Sequence, residues 1–269
     1  MPGFDEPTPP PSDRTPPTAP AVMIQVKNVS KAYGTVTAVE DVSFDVARGQ
    51  ILGFLGSDGA GKTTLLRMIA AMIRPAAGRI RIAGLDSVSG RKQVKTRIGY
   101  MPQRFGLYLD LTVEENIEFF MDIYGIAGAE RNRRKQRYLG FSNLLPFLNR
   151  PAGALSGGMK QKLGLACVLV HQPDVLVLDE PTNGVDPVSR QEFWDILAQM
   201  RSTGMTILVS TAYMDEGEKC DRLVFMHAAR VLTVDTPRAL QGDHPDLEQA
   251  IVARLQAVDR NLAEDRFGT

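Results

Sequence analysis

The chain has 269 residues, 43% of them hydrophobic, with 31 Lys+Arg balanced by 31 Asp+Glu for a formal net charge of zero. That length suits one large α/β domain or two small ones, and the neutral balance argues against a nucleic-acid partner held by a basic surface. The two cysteines, Cys167 and Cys220, form neither a zinc pattern nor a secreted disulfide framework, and no apolar run reaches the roughly 18 residues of a membrane span. A reducing compartment is expected, with any membrane role supplied through a partner.

Residues 1–20 hold eight of the chain's 17 prolines and the acids Asp5, Glu6 and Asp13. That composition cannot bury a core and is unlike a secretory leader, so it predicts a disordered or polyproline-like tail; a ligand for a proline-recognising partner is the alternative. Residues 23–26 and 43–46 alternate like antiparallel strands, with Tyr33-Gly34 between them. Residues 50–55 read as a short buried strand, and 63–72 as a Leu/Met/Ala-rich helix. Between them, Gly56-Ser57-Asp58-Gly59-Ala60-Gly61-Lys62-Thr63 fits G-x-x-x-x-G-K-[ST]. Strand, glycine loop and helix in that order are the context a phosphate-binding loop requires. Glycines let successive N–H groups curl around phosphates, and the helix N-terminus adds positive potential there. Lys62 is expected to reach the outer phosphates, and Thr63 to offer its hydroxyl to Mg²⁺.

Further along, 79–82 alternates and stops at Gly84, and 97–102 reads as a strand running into a loop. Helical patterns cover 113–124, 129–139 and 157–170, the last ended by Gln172-Pro173. Residues 175–179 form a near-continuous apolar strand, typical of burial on both faces. A helix over 191–201, a strand over 206–210, a hairpin from 222–226 and 230–234, and helical residues from about 245 to 264 complete the chain. Alternating strands and helices predict a largely parallel α/β core. The expected organisation is a tail at 1–20, a main domain at 21–240 with a helical subdomain at about 104–170, and a C-terminal helical tail at 241–269.

Two further features carry chemistry. Asp179 ends the apolar strand, where phosphate-loop enzymes place the carboxylate that holds Mg²⁺, usually through water. Glu180 follows directly and is placed to orient or polarise an attacking water. Ser156-Gly157-Gly158 at a helix start offers a hydroxyl, flexible N–H groups and a positive helix end, a second phosphate-binding device.

The phosphate loop, Leu155-Ser156-Gly157-Gly158 and Leu178-Asp179-Glu180-Pro181, in that order and spacing, resemble the ATP-binding cassette (ABC) family over residues 23–235. The resemblance implies an α/β fold: an ABC-type P-loop ATPase core with a mainly parallel sheet, an antiparallel β subdomain and an inserted α-helical subdomain. It implies ATP and Mg²⁺ as ligands. It also implies head-to-tail pairing of two cassettes, each ATP lying between the phosphate loop of one and the Ser-Gly-Gly helix of the other. The nucleotide-binding set would be Tyr33, stacking on adenine, with Gly56, Ser57, Asp58, Gly59, Ala60, Gly61, Lys62, Thr63 and Thr64. Ser156, Gly157 and Gly158 would serve the partner's ATP. Asp186, in Asn183-Gly184-Val185-Asp186-Pro187, would be the key residue of the loop through which the cassettes communicate. Thr63, Gln103 and Asp179 would hold the metal, and Glu180, Gln103 and Lys62 would be catalytic.

The chain departs from the family pattern at one important place. A histidine usually follows the strand equivalent to 206–210 and contacts the γ-phosphate; here the run is Ser210-Thr211-Ala212-Tyr213, and alanine cannot donate a hydrogen bond. Thr211, Tyr213 or a water could fill in, whereas His171, His227 and His244 lie elsewhere in the chain. Met159 replaces the commoner glutamine of the signature, and Ser57-Asp58 the frequent Pro-Asn of the loop. Within the family the chain looks most like bacterial drug-efflux ATPases with separate membrane subunits, especially the first cassette of tandem ATPases.

The implied function is the ATP-hydrolysing subunit of an ABC exporter, peripheral on the cytoplasmic face of the plasma (inner) membrane and attached only through an integral membrane permease subunit. A second cassette, identical or different, would complete it. Phe105, Leu107, Tyr108 and Leu109 are candidates for docking to the permease or for subdomain core. The alternative is a catalytically slow regulatory cassette in an asymmetric heterodimer, with Ala212 at the switch position. A soluble ABC ATPase of repair or translation is disfavoured by the single compact cassette and zero net charge.

Overall fold

The protein is described by a computed structural model covering residues 21–267, with side chains through residue 257. The proline-rich segment 1–20 lies outside the described residues. Strands β1 (Val22–Tyr33) and β2 (Val36–Ala47) form a long antiparallel hairpin that turns at Gly34, whose φ of +58° suits glycine. Both run well beyond the alternating segments visible in the sequence. Register shifts along the pairing break the strict period of two, so only parts of each strand show it.

Strand β3 (Ile51–Leu55) leads through the glycine loop into helix α1 (Lys62–Ile69). The helix stops earlier than its apolar composition suggests, because Ala71 takes a left-handed φ of +52°. Strands β4 (Ala77–Ile82) and β5 (Leu85–Asp86), helix α2 (Arg91–Arg97) and strand β6 (Ile98–Met101) follow. Helix α2 buries only Val94, so it leaves no periodic trace in the sequence. Then come α3 (Val113–Ile123), α4 (Gly128–Phe141), α5 (Gly157–Leu169), β7 (Val175–Asp179), α6 (Pro187–Ser202) and β8 (Thr206–Ser210). Helix α6 starts ahead of the sequence-based expectation because Asp186 caps it and Pro187 occupies its first turn. Short α7 (Met214–Gly217), strands β9 (Arg222–His227) and β10 (Arg230–Asp235), and helices α8 (Pro237–Gln241) and α9 (Leu247–Phe267) complete the fold.

Two sheets result. One is antiparallel, in the order β2-β1-β4-β5; the other runs β10-β9-β3-β8-β7-β6, parallel except for β10. Every residue of β3, β7 and β8 is buried. The period of two divides their side chains between two cores. Leu52, Phe54, Val175, Val177, Leu208 and Val224 pack with α1 and the antiparallel sheet. Ile51, Leu55, Leu176, Leu178, Ile207, Val209 and Phe225 pack against α3, α5 and α6. Leu240, Leu247 and Ile251 bury into this second core, tying α8 and α9 to it. The sheets meet where the Glu40 N–H donates to the Ala229 carbonyl (2.8 Å) and the Glu40 carboxylate pairs with Arg230.

The helical layer is fixed by a cap and by charge. Thr112 and Glu115 form a reciprocal capping box at the start of α3. Lys135 of α4 reaches Glu114 (2.5 Å) and Glu118 (2.8 Å) of α3, and these hydrogen bonds raise the Lys135 pKa. No helix among the described residues is long and apolar enough to cross a membrane.

Leu178 is fully buried and directly precedes Asp179. Leu178→Ala should lower the unfolding free energy by about 2–5 kcal/mol in urea denaturation. A loss below about 1 kcal/mol would contradict the packing described for β7.

Candidate nucleotide site

The glycine loop owes its shape to close approaches that exclude side chains. A Cβ on Gly56 would lie 2.2 Å from the Met226 carbonyl oxygen, and one on Gly61 would lie 2.2 Å from that of Ala38. Gly61 also has a φ of +101° and precedes α1 without a side-chain cap, leaving the first helical N–H groups facing the loop. Lys62 is nearly buried; its ammonium donates to the carbonyls of Gly56 (2.7 Å) and Ser57 (3.1 Å) and lies 3.9 Å from Glu180 Oε1. A cleft of about 210 Å³ opens here, lined by residues 59–64, by Val36, Thr37 and Ala38 of β2, and by Glu180.

Parallel pairing of β7 with β8 sets Asp179 opposite Ser210. Asp179 Oδ1 accepts hydrogen bonds from the Thr63 and Ser210 hydroxyls, both at 2.9 Å, and Oδ2 accepts from the Tyr100 hydroxyl at 3.3 Å. Burial and the nearby Asp179 charge push the Tyr100 pKa up, against a hydrogen bond from Arg67. A buried carboxylate is tolerable only when its oxygens are satisfied in this way. Thr63 and Asp179, a hydroxyl and a carboxylate in contact, are the oxygen donors that suit a hydrated Mg²⁺ beside phosphates.

Glu180 leaves the strand with a φ of +50°, a conformation that costs an ordinary residue about 1–3 kcal/mol. Its N–H is held by the Ser210 hydroxyl (2.9 Å) and carbonyl (3.2 Å). The turn swings the side chain towards the cleft, where Gln103 Nε2 (2.8 Å) and Asn183 Nδ2 (3.2 Å) donate to its Oε2. Lys62, Gln103 and Glu180 therefore form one contact group and Thr63 and Asp179 another, adjacent to it along the chain at 62–63 and 179–180.

Other expected residues lie apart from these groups. Tyr33 is half exposed with the Lys31 ammonium 5.4 Å above its ring, and the cleft is lined instead by Val36, Thr37 and Ala38. Ser156 caps α5 by accepting from Met159 N (3.3 Å). A Cβ on Gly158 would lie 2.3 Å from Cβ of Ser189, whose own N–H donates to Asp186 Oδ1 at 2.9 Å. That hydrogen bond, above all, holds the Asp186 carboxyl below the usual carboxylate range. Ser156, Gly157, Gly158 and Asp186 thus form a second cluster, outside the lining of the phosphate cleft. Phe105 and Leu107 pack onto the core, Phe105 stacked on Phe120, so only Tyr108 and Leu109 of the docking candidates are well exposed.

The replacements considered for the switch histidine are committed elsewhere. Ala212 is exposed, the Thr211 hydroxyl turns inward to Glu216, and the Tyr213 ring lies against Arg190. His171 stacks on Tyr124, while His227 lies in β9 and His244 in the α8–α9 connection. Ser210, Tyr100 and Asn183 escaped sequence reasoning as site residues. Strand pairing brings Ser210 and Tyr100 to the carboxylates, whereas Asn183 reaches Glu180 from three residues further on, at the start of the run expected to serve communication between cassettes.

Gly61→Ala combines a clash with about 1–3 kcal/mol of backbone strain. The affinity of fluorescent mant-ATP should fall by about tenfold or more, and an unchanged affinity would remove this loop from the phosphate site. Ser210→Ala should cost about 1–3 kcal/mol of stability in denaturant titration, because it strips a donor from a buried carboxylate.

A protein-family profile described as ABC transporter matches residues 39–183. Over 203 residues the chain is 46% identical to the "Probable multidrug ABC transporter ATP-binding protein YbhF" of Escherichia coli, which covers 76% of this chain but only 35% of that protein. The chain therefore spans about a third of the length of that relative. The "Nod factor export ATP-binding protein I" of Ralstonia nicotianae is 39% identical over 219 residues, 81% of this chain and 68% of that protein. A solved "ATP binding subunit of ABC transporter" superposes with a TM-score of 0.77 at 30% identity, over 86% of this chain and 98% of that one. The dimeric bacterial ABC transporter cassette MJ0796 gives a TM-score of 0.73 at 26% identity, over 80% and 99%. With more than half of its length matched by the family profile, from β2 through the carboxylates to Asn183, the chain belongs to the ABC transporter family, on its ATP-binding side.

Proposed function

We propose that this chain binds and hydrolyses Mg-ATP as one cassette of an ABC exporter, closing against a second cassette and moving a separate integral membrane subunit. The observation that carries the reading is the contact chain Lys62–Glu180–Gln103 at the mouth of the phosphate cleft, with Asp179 and Thr63 behind it. The loop N–H groups and Lys62 bind the phosphates; Thr63 and Asp179, with Gln103, would hold Mg²⁺, which would neutralise phosphate charge. Glu180, oriented by Gln103 and Asn183, aligns the attacking water and accepts its proton.

The second cluster supports pairing. Residues 156 and 157 are exposed at a helix N-terminus and lie outside their own chain's cleft, as a donor set for another chain's γ-phosphate must. The dimeric state named for MJ0796 and the export named for the Nod-factor relative support the same assembly, which we place on the cytoplasmic face of the membrane. The exposed Tyr108 and Leu109 suit contact with the membrane subunit. Drug or xenobiotic substrates follow only from the name of the multidrug relative.

A second reading is a slow regulatory cassette in a heterodimer. The observation that favours it is that the Thr211 hydroxyl is committed to Glu216 and the Tyr213 ring to Arg190, on either side of an alanine without a side-chain donor. Loss of one transition-state donor costs on the order of 10²–10³ in rate. Steady-state Mg-ATP hydrolysis against protein concentration separates the two. A rate that rises with concentration, is lost in Glu180→Gln and changes little in Ala212→His supports the competent homodimer. A near-zero rate that Ala212→His restores supports the regulatory partner.

A further inference from the structure

Outside the phosphate cleft, one buried carboxylate joins three separate segments. Glu216 of α7 is 1% exposed. It accepts hydrogen bonds from the Thr182 hydroxyl (2.7 Å), the Thr211 hydroxyl (2.5 Å) and Arg190 Nε (3.0 Å). A carboxylate withdrawn from water is costly unless it is paired and its oxygens are filled, so removing any partner is penalised. Arg190 is itself held on two further sides. Its Nη2 reaches both oxygens of Asp215, at 3.0 and 2.8 Å, and its guanidinium plane lies 3.9 Å from the centre of the Tyr213 ring. The Thr211 oxygen also accepts the Tyr213 N–H at 3.0 Å.

The addresses of these partners give the cluster its meaning. Thr182 sits just past Glu180, in the loop that also carries Asn183. Thr211 and Tyr213 flank Ala212. Arg190 lies one turn into α6, and its N–H bonds the Asp186 carbonyl at 2.9 Å. Glu180, Thr182, Asn183, Thr211, Ala212 and Tyr213 line a single small cleft. Alanine at 212 offers no polar group to hold its own segment. Glu216 supplies that constraint from beneath, through Thr211 and Arg190.

We propose that Glu216 is a positioning residue for ATP hydrolysis, locking the loop behind Glu180, the 211–213 segment and the start of α6 into one unit. The proposal rests on the reading of the chain as an ATP-hydrolysing cassette. Glu216 is buried outside the lining of the phosphate cleft. It acts through Thr182 on the turn that aims Glu180, and through Arg190 on the helix that Asp186 begins. Small misplacements of a catalytic group reduce turnover far more than ground-state binding.

The test uses the full chain with Glu216→Gln, Thr211→Val and Thr211→Ser. Glu216→Gln keeps the shape but loses the ion pair with Arg190, while Thr211→Val keeps the volume but loses one hydroxyl. For Glu216→Gln, kcat should fall by about tenfold to a hundredfold, with the Kd for mant-ATP within about twofold of wild type. Amide hydrogen exchange should rise together around Thr182 and across 211–213, with the phosphate loop unchanged. Thr211→Val should show the same pattern more weakly, and Thr211→Ser should restore it to wild type. Unchanged kcat, or exchange confined to α7, overturns the proposal. So does a parallel loss of kcat, mant-ATP affinity and melting temperature, which is what a merely structural role would produce. Should Glu216→Gln fail to fold, the Thr211 pair decides by the same readouts. A wild-type chain that binds no mant-ATP overturns the functional reading instead, and the exchange pattern alone then decides whether the three segments move as one.

Discussion

Parallel pairing of β3, β8 and β7 brings three chain reversals to one end of one sheet. In this arrangement Phe54 and Asp179 both stand in register with Ser210, from opposite sides. Because the strands are buried on both faces, their backbone groups must find each other, and a slip of one residue would exchange the two cores. Register is therefore fixed by burial. The phosphate loop after β3, the carboxylates after β7 and the switch segment after β8 inherit their relative positions from it. Ligand sites in open α/β sheets lie beyond the carboxyl ends of the strands for this reason.

Polar groups at that end are satisfied mainly by one another. Asp179 takes Thr63, Ser210 and Tyr100; Glu180 takes Gln103, Asn183 and the backbone of Ser210; Glu216 takes Thr182, Thr211 and Arg190. Each carboxylate draws on segments remote from it in the chain. Cross-linking of this kind is rigid in a low-dielectric setting, where an unpaired member would be costly. The strain at Glu180, with its positive φ, is sustained by the two hydrogen bonds that its N–H donates to the Ser210 hydroxyl and carbonyl.

The two clusters of the chain are distinct. Gly158 packs on Ser189 beside Asp186, and this group lies outside the lining of the phosphate cleft. Helix α6 connects the clusters within one chain: its start carries Asp186 and Ser189, and its next turn carries Arg190, which reaches Glu216 and the switch segment.

The glycine loop, the apolar strand with Asp179 and Glu180, and the Ser-Gly-Gly helix start were legible because each is a local pattern whose function depends on adjacent residues. The family could be identified from those residues, and the profile match over 39–183 agrees. Helix α2 and the full lengths of β1 and β2 were not legible, since one has a single buried residue and the others are interrupted by register shifts. For Phe105 and Leu107 the sequence left docking and subdomain core both open, and their packing against the core, with Phe105 stacked on Phe120 of α3, decides between them. The sequence by itself determined the ligand class and the family, because backbone geometry at glycines and the order of a few polar residues encode both. Only the tertiary structure decided that Ser210, Tyr100, Asn183, Arg190 and Glu216 support the carboxylates and the switch segment. Apart from Asn183, which reaches Glu180 within a single turn, those partners are joined by strand register and buried charge pairing across long stretches of chain, and no local pattern can carry that information.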